Sequence, residues 1–192
     1  YGYGFVQGAD AAAAELGQNI EINYFYAGQF YGDADITAYM DTWFGSKGVE
    51  IVFACGGGIY TSAAEAAVKT GGKIIGVDLD QSATIDEYED GLTVTSAMKG
   101  LQVTIDNVLS AIKGGTWDAY AGEMENLGLE SANPEENYVQ LPETTTQWDD
   151  NFTVDDYRDL VQRMYDGELT VSGDTTSFPE TEIQATDYGS IK

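Results

Sequence analysis

This sequence has no histidine, one cysteine and three prolines, and 8 lysines and arginines stand against 33 aspartates and glutamates. Each shortage removes a class of function. Histidine is the commonest general base near neutral pH and the commonest metal ligand, so Ser-His-Asp triads and histidine-ligated zinc sites are excluded. The deficit of basic residues gives a formal charge of −25, which opposes binding to nucleic acid phosphates and to anionic membrane surfaces. Cys55 has no second cysteine to bridge and is expected as a small buried residue. No stretch reads as a membrane span or a signal peptide.

What remains is ample for a globular fold. The 192 residues are 43% hydrophobic and 12% aromatic, enough for one sizeable domain with its own core. "YGYGFVQGADAAAAELG" reads as an Ala-rich helix from Phe5 to Leu16, closed by Gly17. A domain seldom begins in a helix, and the chain has no initial Met, so an upstream portion is expected.

Strands and helices then alternate. "IEINYFYAG" (20–28) is rich in β-branched and aromatic residues, as strands are. Asp33 caps a helix carrying Ile36, Tyr39, Met40, Trp43 and Phe44 at helical spacing, with Gly45 or Gly48 ending it. Trp43 and Phe44 fall on that stripe and are expected in the core; Phe30 falls outside it. "VEIVFAC" (49–55) is a continuous apolar strand, and "GGG" (56–58) turns into a helix through "SAAEAAVKT". "KIIGVD" (73–78) and "LTVTS" (92–96) are further strands. Near-continuous apolar strands alternating with helices predict an α/β fold, a parallel sheet with helices on both faces.

Leu101, Ile105, Val108, Leu109 and Ile112 form another stripe, ended by Lys113-Gly114-Gly115. "NLGLES" and "NYVQLP" look like short strands around an Asn133-Pro134 turn. Thr153 and Asp156 fit a capping pattern ahead of Val154, Tyr157, Leu160, Val161 and Met164. The acidic tail after Gly167 reads as loop or a short terminal strand.

Ligands of parallel α/β sheets bind beyond the carboxyl ends of strands. Three such ends carry unusual residues: Gly28-Gln29-Phe30, Gly56-Gly57-Gly58 and Asp78-Leu79-Asp80. They are expected to converge on one crevice. The glycines lack the Lys-Ser/Thr of a phosphate-binding loop. "DLDQS" approaches the D-x-D-x-[TV] signature of haloacid-dehalogenase-type phosphotransferases, with Asp78 as nucleophile, Asp80 as acid/base, and Ser96 and Lys99 in later roles. Position 82 is Ser, however, and no paired acids supply the magnesium site. A binding site asks for less. A carboxylate at a strand end accepts from vicinal hydroxyls, a lysine donates to them, and an aromatic face stacks on a ring.

"YFYAGQF" followed by "GD", then "VEIVFACGGG", "IIGVDLDQ", "VTSAMKG", "GGTW" and "NLGLES", occur in the order found in the basic membrane protein family. The chain thus resembles the PnrA-like substrate-binding lipoproteins of ABC importers, over most of residues 1 to 140. The resemblance implies the second lobe of a bilobal protein of the periplasmic-binding-protein type I. Residues 1–95 and 119–192 would form that lobe, and 96–118 would be a hinge crossing to a first lobe upstream of Tyr1. It implies capture of a purine nucleoside, with Phe30 stacking on the base, Asp78 and Lys99 at the ribose hydroxyls, and Gly56, Gly57 and Gly58 letting backbone approach the ligand. Asp80 is left to turn geometry. Gln29 departs from the family, where Ser is common. The implied partners are a small-molecule ligand and an ABC permease, with no nucleic acid and no cofactor. The implied location is extracytoplasmic, as a cell-surface or periplasmic lipoprotein anchored through an upstream cysteine.

Overall fold

Helix caps and strand-breaking turns set the element order of the computed structural model, which describes residues 1–191. Along the chain run α1 (Gly2–Leu16), β1 (Glu21–Tyr26), α2 (Ala34–Ser46), β2 (Ile51–Phe53) and α3 (Tyr60–Ala67). There follow β3 (Lys73–Asp78), α4 (Ser82–Ile85), β4 (Thr93–Lys99), α5 (Leu101–Gly114), β5 (Val139–Gln140), α6 (Val154–Tyr165) and β6 (Gln184–Ser190). The fold is α/β, with parallel strands and helices, as the alternation predicts. The chain divides into two compact units, Tyr1–Gly72 with Val171–Lys192, and Lys73–Thr170.

In the first unit, α1 ends where Gly17 takes φ 62°, a left-handed cap that favours glycine. Asp33 caps α2, its Oδ1 accepting from the Ile36 amide at 3.0 Å. Ile36, Met40, Trp43 and Phe44 bury one face of that helix, and Ala63, Ala64, Ala66 and Ala67 bury one of α3. Gly72 is the close-packed point between them, since a Cβ there would lie 2.3 Å from the Phe44 ring. β1 pairs in parallel with β6, Glu21 opposite Gln184. The acidic tail therefore ends in a strand, and the Asp10 carboxylate of α1 steers it by accepting from the Glu182 and Ile183 amides, each at 2.9 Å.

The expected strand 49–55 is shorter. Its register stops at Phe53 because the Cys55 amide donates to the Phe53 carbonyl (3.0 Å) and the Gly56 amide to that of Ala54 (2.8 Å), two consecutive tight turns. Cys55 sits on that turn and is exposed, not buried as expected.

In the second unit, β3 and β4 are parallel, with Asp78 opposite Met98. β4 and β5 are antiparallel, with Lys99 opposite Val139. Ile74, Val77, Ile85, Leu92, Tyr157 and Val161 are buried. The capping box of α6 is present in full, Thr153 and Asp156 each bonding the other's amide. "NLGLES" is not a strand. Its Glu130 and Ser131 amides donate instead to the Asn137 side chain, at 2.7 and 2.9 Å. Asn137 is almost wholly buried and returns two bonds to the Ser131 and Asn133 carbonyls, which fixes this segment as a loop. The stripe on α5 forms a helix as predicted, but Leu101, Ile105, Leu109 and Ile112 are all exposed.

Candidate functional site

β3 runs apolar until Asp78 because its neighbours demand it. Gly76 has no room for a side chain, since a Cβ would stand 2.6 Å from Ser96 Oγ. Beyond it, Gln81 folds back so that its Oε1 accepts from the Val77 amide (2.9 Å), while its own amide donates to Ser96 Oγ (3.1 Å). Ser96 is fully buried in this knot, its hydroxyl oxygen accepting from the Gln81 backbone amide.

The knot lifts Asp78 out of extended geometry. Its φ of +72° is the only positive value at a non-glycine position among the described residues. Left-handed backbone costs an L-residue about 1–2 kcal/mol, less for Asp and Asn, and such outliers gather at functional sites. Here the conformation delivers a carboxylate to the lysine ending the next strand. Asp78 Oδ1 and Lys99 Nζ lie 2.7 Å apart, with side chains 37% and 49% exposed. An ion pair so open to solvent contributes only ~0–1 kcal/mol to stability.

Lys99 is itself firmly placed. Gly100 donates its amide to the Tyr138 carbonyl (2.8 Å), and a Cβ on Gly100 would stand 2.3 Å from the Asn137 carbonyl oxygen. The close approach of β5 thus pins the end of β4. Asn137 and Gln81 are the supports that sequence reasoning passed over. Asn133-Pro134 signalled the turn, but nothing local marks Asn137 as its centre.

Asp80 points elsewhere. Its Oδ1 accepts from the Ser82 amide (3.0 Å) and its Oδ2 from the Thr145 hydroxyl (2.8 Å). Partial burial raises its pKa, but the hydrogen bonds from Ser82 and Thr145 outweigh it and leave the carboxyl below its ordinary value. It holds the turn after β3, as assigned from the sequence.

In the first unit the structure brings Phe30 together with the three glycines. The Gly58 amide donates to the Phe30 carbonyl (2.8 Å), and Tyr31 and Gly58 form a parallel bridge. Gly57 needs its freedom: its φ is +46°, and a Cβ would sit 3.3 Å from the Phe30 carbonyl oxygen. Gln29 clamps the loop from the other side, donating to the Tyr31 carbonyl (2.8 Å) and to Asp33 Oδ2 (2.9 Å). On this fixed backbone Phe30 is 75% exposed.

Chemically, Asp78 is an acceptor and Lys99 a donor held side by side, a natural match for two adjacent hydroxyls. Phe30 is a presented ring face, and rings of this kind stack on planar ligands. Comparison with protein family models, with curated proteins and with solved structures returned no match.

Proposed function

We propose that this chain belongs to the substrate-binding component of an ABC importer and captures a small polar ligand, a purine nucleoside. The observation that carries the reading is the Asp78–Lys99 pair at 2.7 Å, delivered by a left-handed Asp78 at a strand end. In this reading the Asp78 carboxylate accepts from the two ribose hydroxyls and Lys99 donates to them; the resemblance separately assigns base stacking to the ring of exposed Phe30. The glycines at 56–58 keep backbone low beside that ring. Binding is the role that suits an acceptor–donor pair this open to solvent. Extracytoplasmic location, the lipid anchor and the permease partner come with the same reading, through the resemblance described above.

The test is calorimetry on the full-length protein with ribonucleosides, 2′-deoxynucleosides and free bases, alongside magnesium-dependent hydrolysis of a phosphate ester. Ribonucleosides should bind best. Charge-assisted hydrogen bonds contribute about 1.5–3 kcal/mol each, so Asp78→Ala or Lys99→Ala should weaken binding at least about tenfold. Phosphate-ester turnover abolished by Asp78→Asn would overturn the reading in favour of a phosphotransferase using Asp78 and Asp80.

A further inference from the structure

Asn151-Phe152-Thr153 is the one place in the sequence where serine or threonine stands two residues after an asparagine with no proline between. That is the acceptor motif of N-linked glycosylation, and the structural context it requires is an exposed loop. Asp149 precedes Asn151 by two positions, so the stretch also meets the longer form of the motif, D/E-x-N-x-S/T. The proposed ligand site makes no use of these residues.

Asn151 and Phe152 lie exposed in a short turn ahead of α6. Asp149 Oδ1 closes that turn by accepting from the Asn151 and Phe152 amides, at 2.8 and 3.0 Å. Trp148 anchors it from below, its ring 5.7 Å from that of buried Tyr157 and 6.0 Å from that of Phe152. The backbone is thus fixed while the Asn151 side chain is loosely held. Its Nδ2 reaches Asp149 Oδ2 only at 3.3 Å, past the usual range for such a bond. Phe152, next in the chain, is 42% exposed and offers apolar area against which a first sugar can pack. The helix cap accounts for Thr153 and Asp156 but gives Asn151 no task.

We propose that Asn151 is a site of N-linked glycosylation. In the transfer its Nδ2 bonds to the anomeric carbon of a sugar and gives up one proton. The bond from that carbon to a phosphate oxygen of a lipid-linked oligosaccharide breaks, and the phosphate leaves with the electron pair. Nothing is oxidised or reduced, and a membrane oligosaccharyltransferase supplies the catalysis. In the folded protein the Thr153 hydroxyl is engaged, donating to Asp156 Oδ2 (2.6 Å) and accepting from the Asp156 amide (3.2 Å). A transferase that reads this hydroxyl meets it free only before α6 is capped, so the transfer precedes folding of that helix. The folded state then accommodates the product, because Asn151 stays exposed. The site rests on the extracytoplasmic location proposed above, since the lipid-linked donor is used on that side of the membrane.

The test is mass spectrometry of the full-length protein isolated from the cells that make it, paired with protease treatment of those cells stripped to an intact cytoplasmic membrane. Trypsin cuts after Lys113 and Arg158, so residues 114–158 form one peptide that carries Asn151. We expect that peptide to be heavier by a whole number of sugar residues, with fragment ions placing the mass on Asn151. Asn151→Gln and Thr153→Val should abolish the added mass. Thr153→Ser, which keeps a hydroxyl for both motif and cap, should retain it. A protein reached by the protease but unmodified at Asn151 would overturn the proposal and leave the location reading standing. A protein shielded from the protease and unmodified would overturn both. Added mass that survives Asn151→Gln, or that maps to a serine or threonine of the same peptide, would also overturn the proposal.

Discussion

Asp78 is where shape and charge can be separated, because Asn tolerates left-handed backbone as readily as Asp does. Asp78→Asn keeps the turn and removes the charge. It should leave unfolding free energy within about 1 kcal/mol of the parent, since only a solvent-open ion pair is lost, while the nucleoside affinity proposed above should fall at least about tenfold. Asp78→Val should do the opposite to stability and lower it by about 1–2 kcal/mol, because a β-branched residue resists φ +72°. Denaturant titration beside calorimetry checks both. Asp80 predicts a pH effect. Its folded-state carboxyl titrates below the ordinary value of 3.8, so its contribution is complete above that value and is lost as pH falls through the lower folded one. Asp80→Asn keeps an acceptor for the Ser82 amide and loses only the charge that strengthens the bonds from Ser82 and Thr145, so it should cost under about 1 kcal/mol at pH 7 and progressively less toward pH 2, with ligand affinity little changed. Equal losses at both pH values would contradict this assignment.

Elements read from periodicity held wherever the signal was local. The Asp33 cap, the Trp43 and Phe44 stripe, the Gly17 stop and the Thr153–Asp156 box all depend on residues within a turn of one another, and all formed. What failed depended on partners far along the chain. "NLGLES" has strand composition, but its amides are taken by Asn137, and "VEIVFAC" lost its end to turns that the glycines after it permit. The site follows the same division. The acid at a strand end was legible, whereas its left-handed backbone was not, since that arises from Gln81 and buried Ser96 meeting across two strands. Thr153→Ala should cost about 1 kcal/mol of stability, with the unfolding midpoint as the readout. α5 gives the contrasting case. Its stripe is apolar and regular, yet exposed, because periodicity reports which face is apolar and not whether anything covers it. Ile105→Gln should shift stability by less than about 0.5 kcal/mol, while truncating fully buried Ile85 to Ala should cost roughly 2–5 kcal/mol.

At the scale of the whole molecule, the charge of −25 works against compactness by self-repulsion. Raising salt from low ionic strength to about 1 M shortens the screening length from tens of ångströms to about 3 Å, so the thermal midpoint should rise with added sodium chloride. A midpoint that fell would show that specific ion pairs outweigh the general repulsion. The parallel pairing of β1 with β6 carries a consequence in time. Asp10 and the Ile183 amide it holds are 173 positions apart, and a ribosome adds about 5–20 residues per second. β1 thus waits about ten to thirty seconds after it is made before its strand partner exists. Throughout that interval the Lys73–Thr170 unit, whose strands are neighbours in sequence, is free to fold first. β1 is made well before the strand that completes it, and until then its aromatic residues are a target for chaperones.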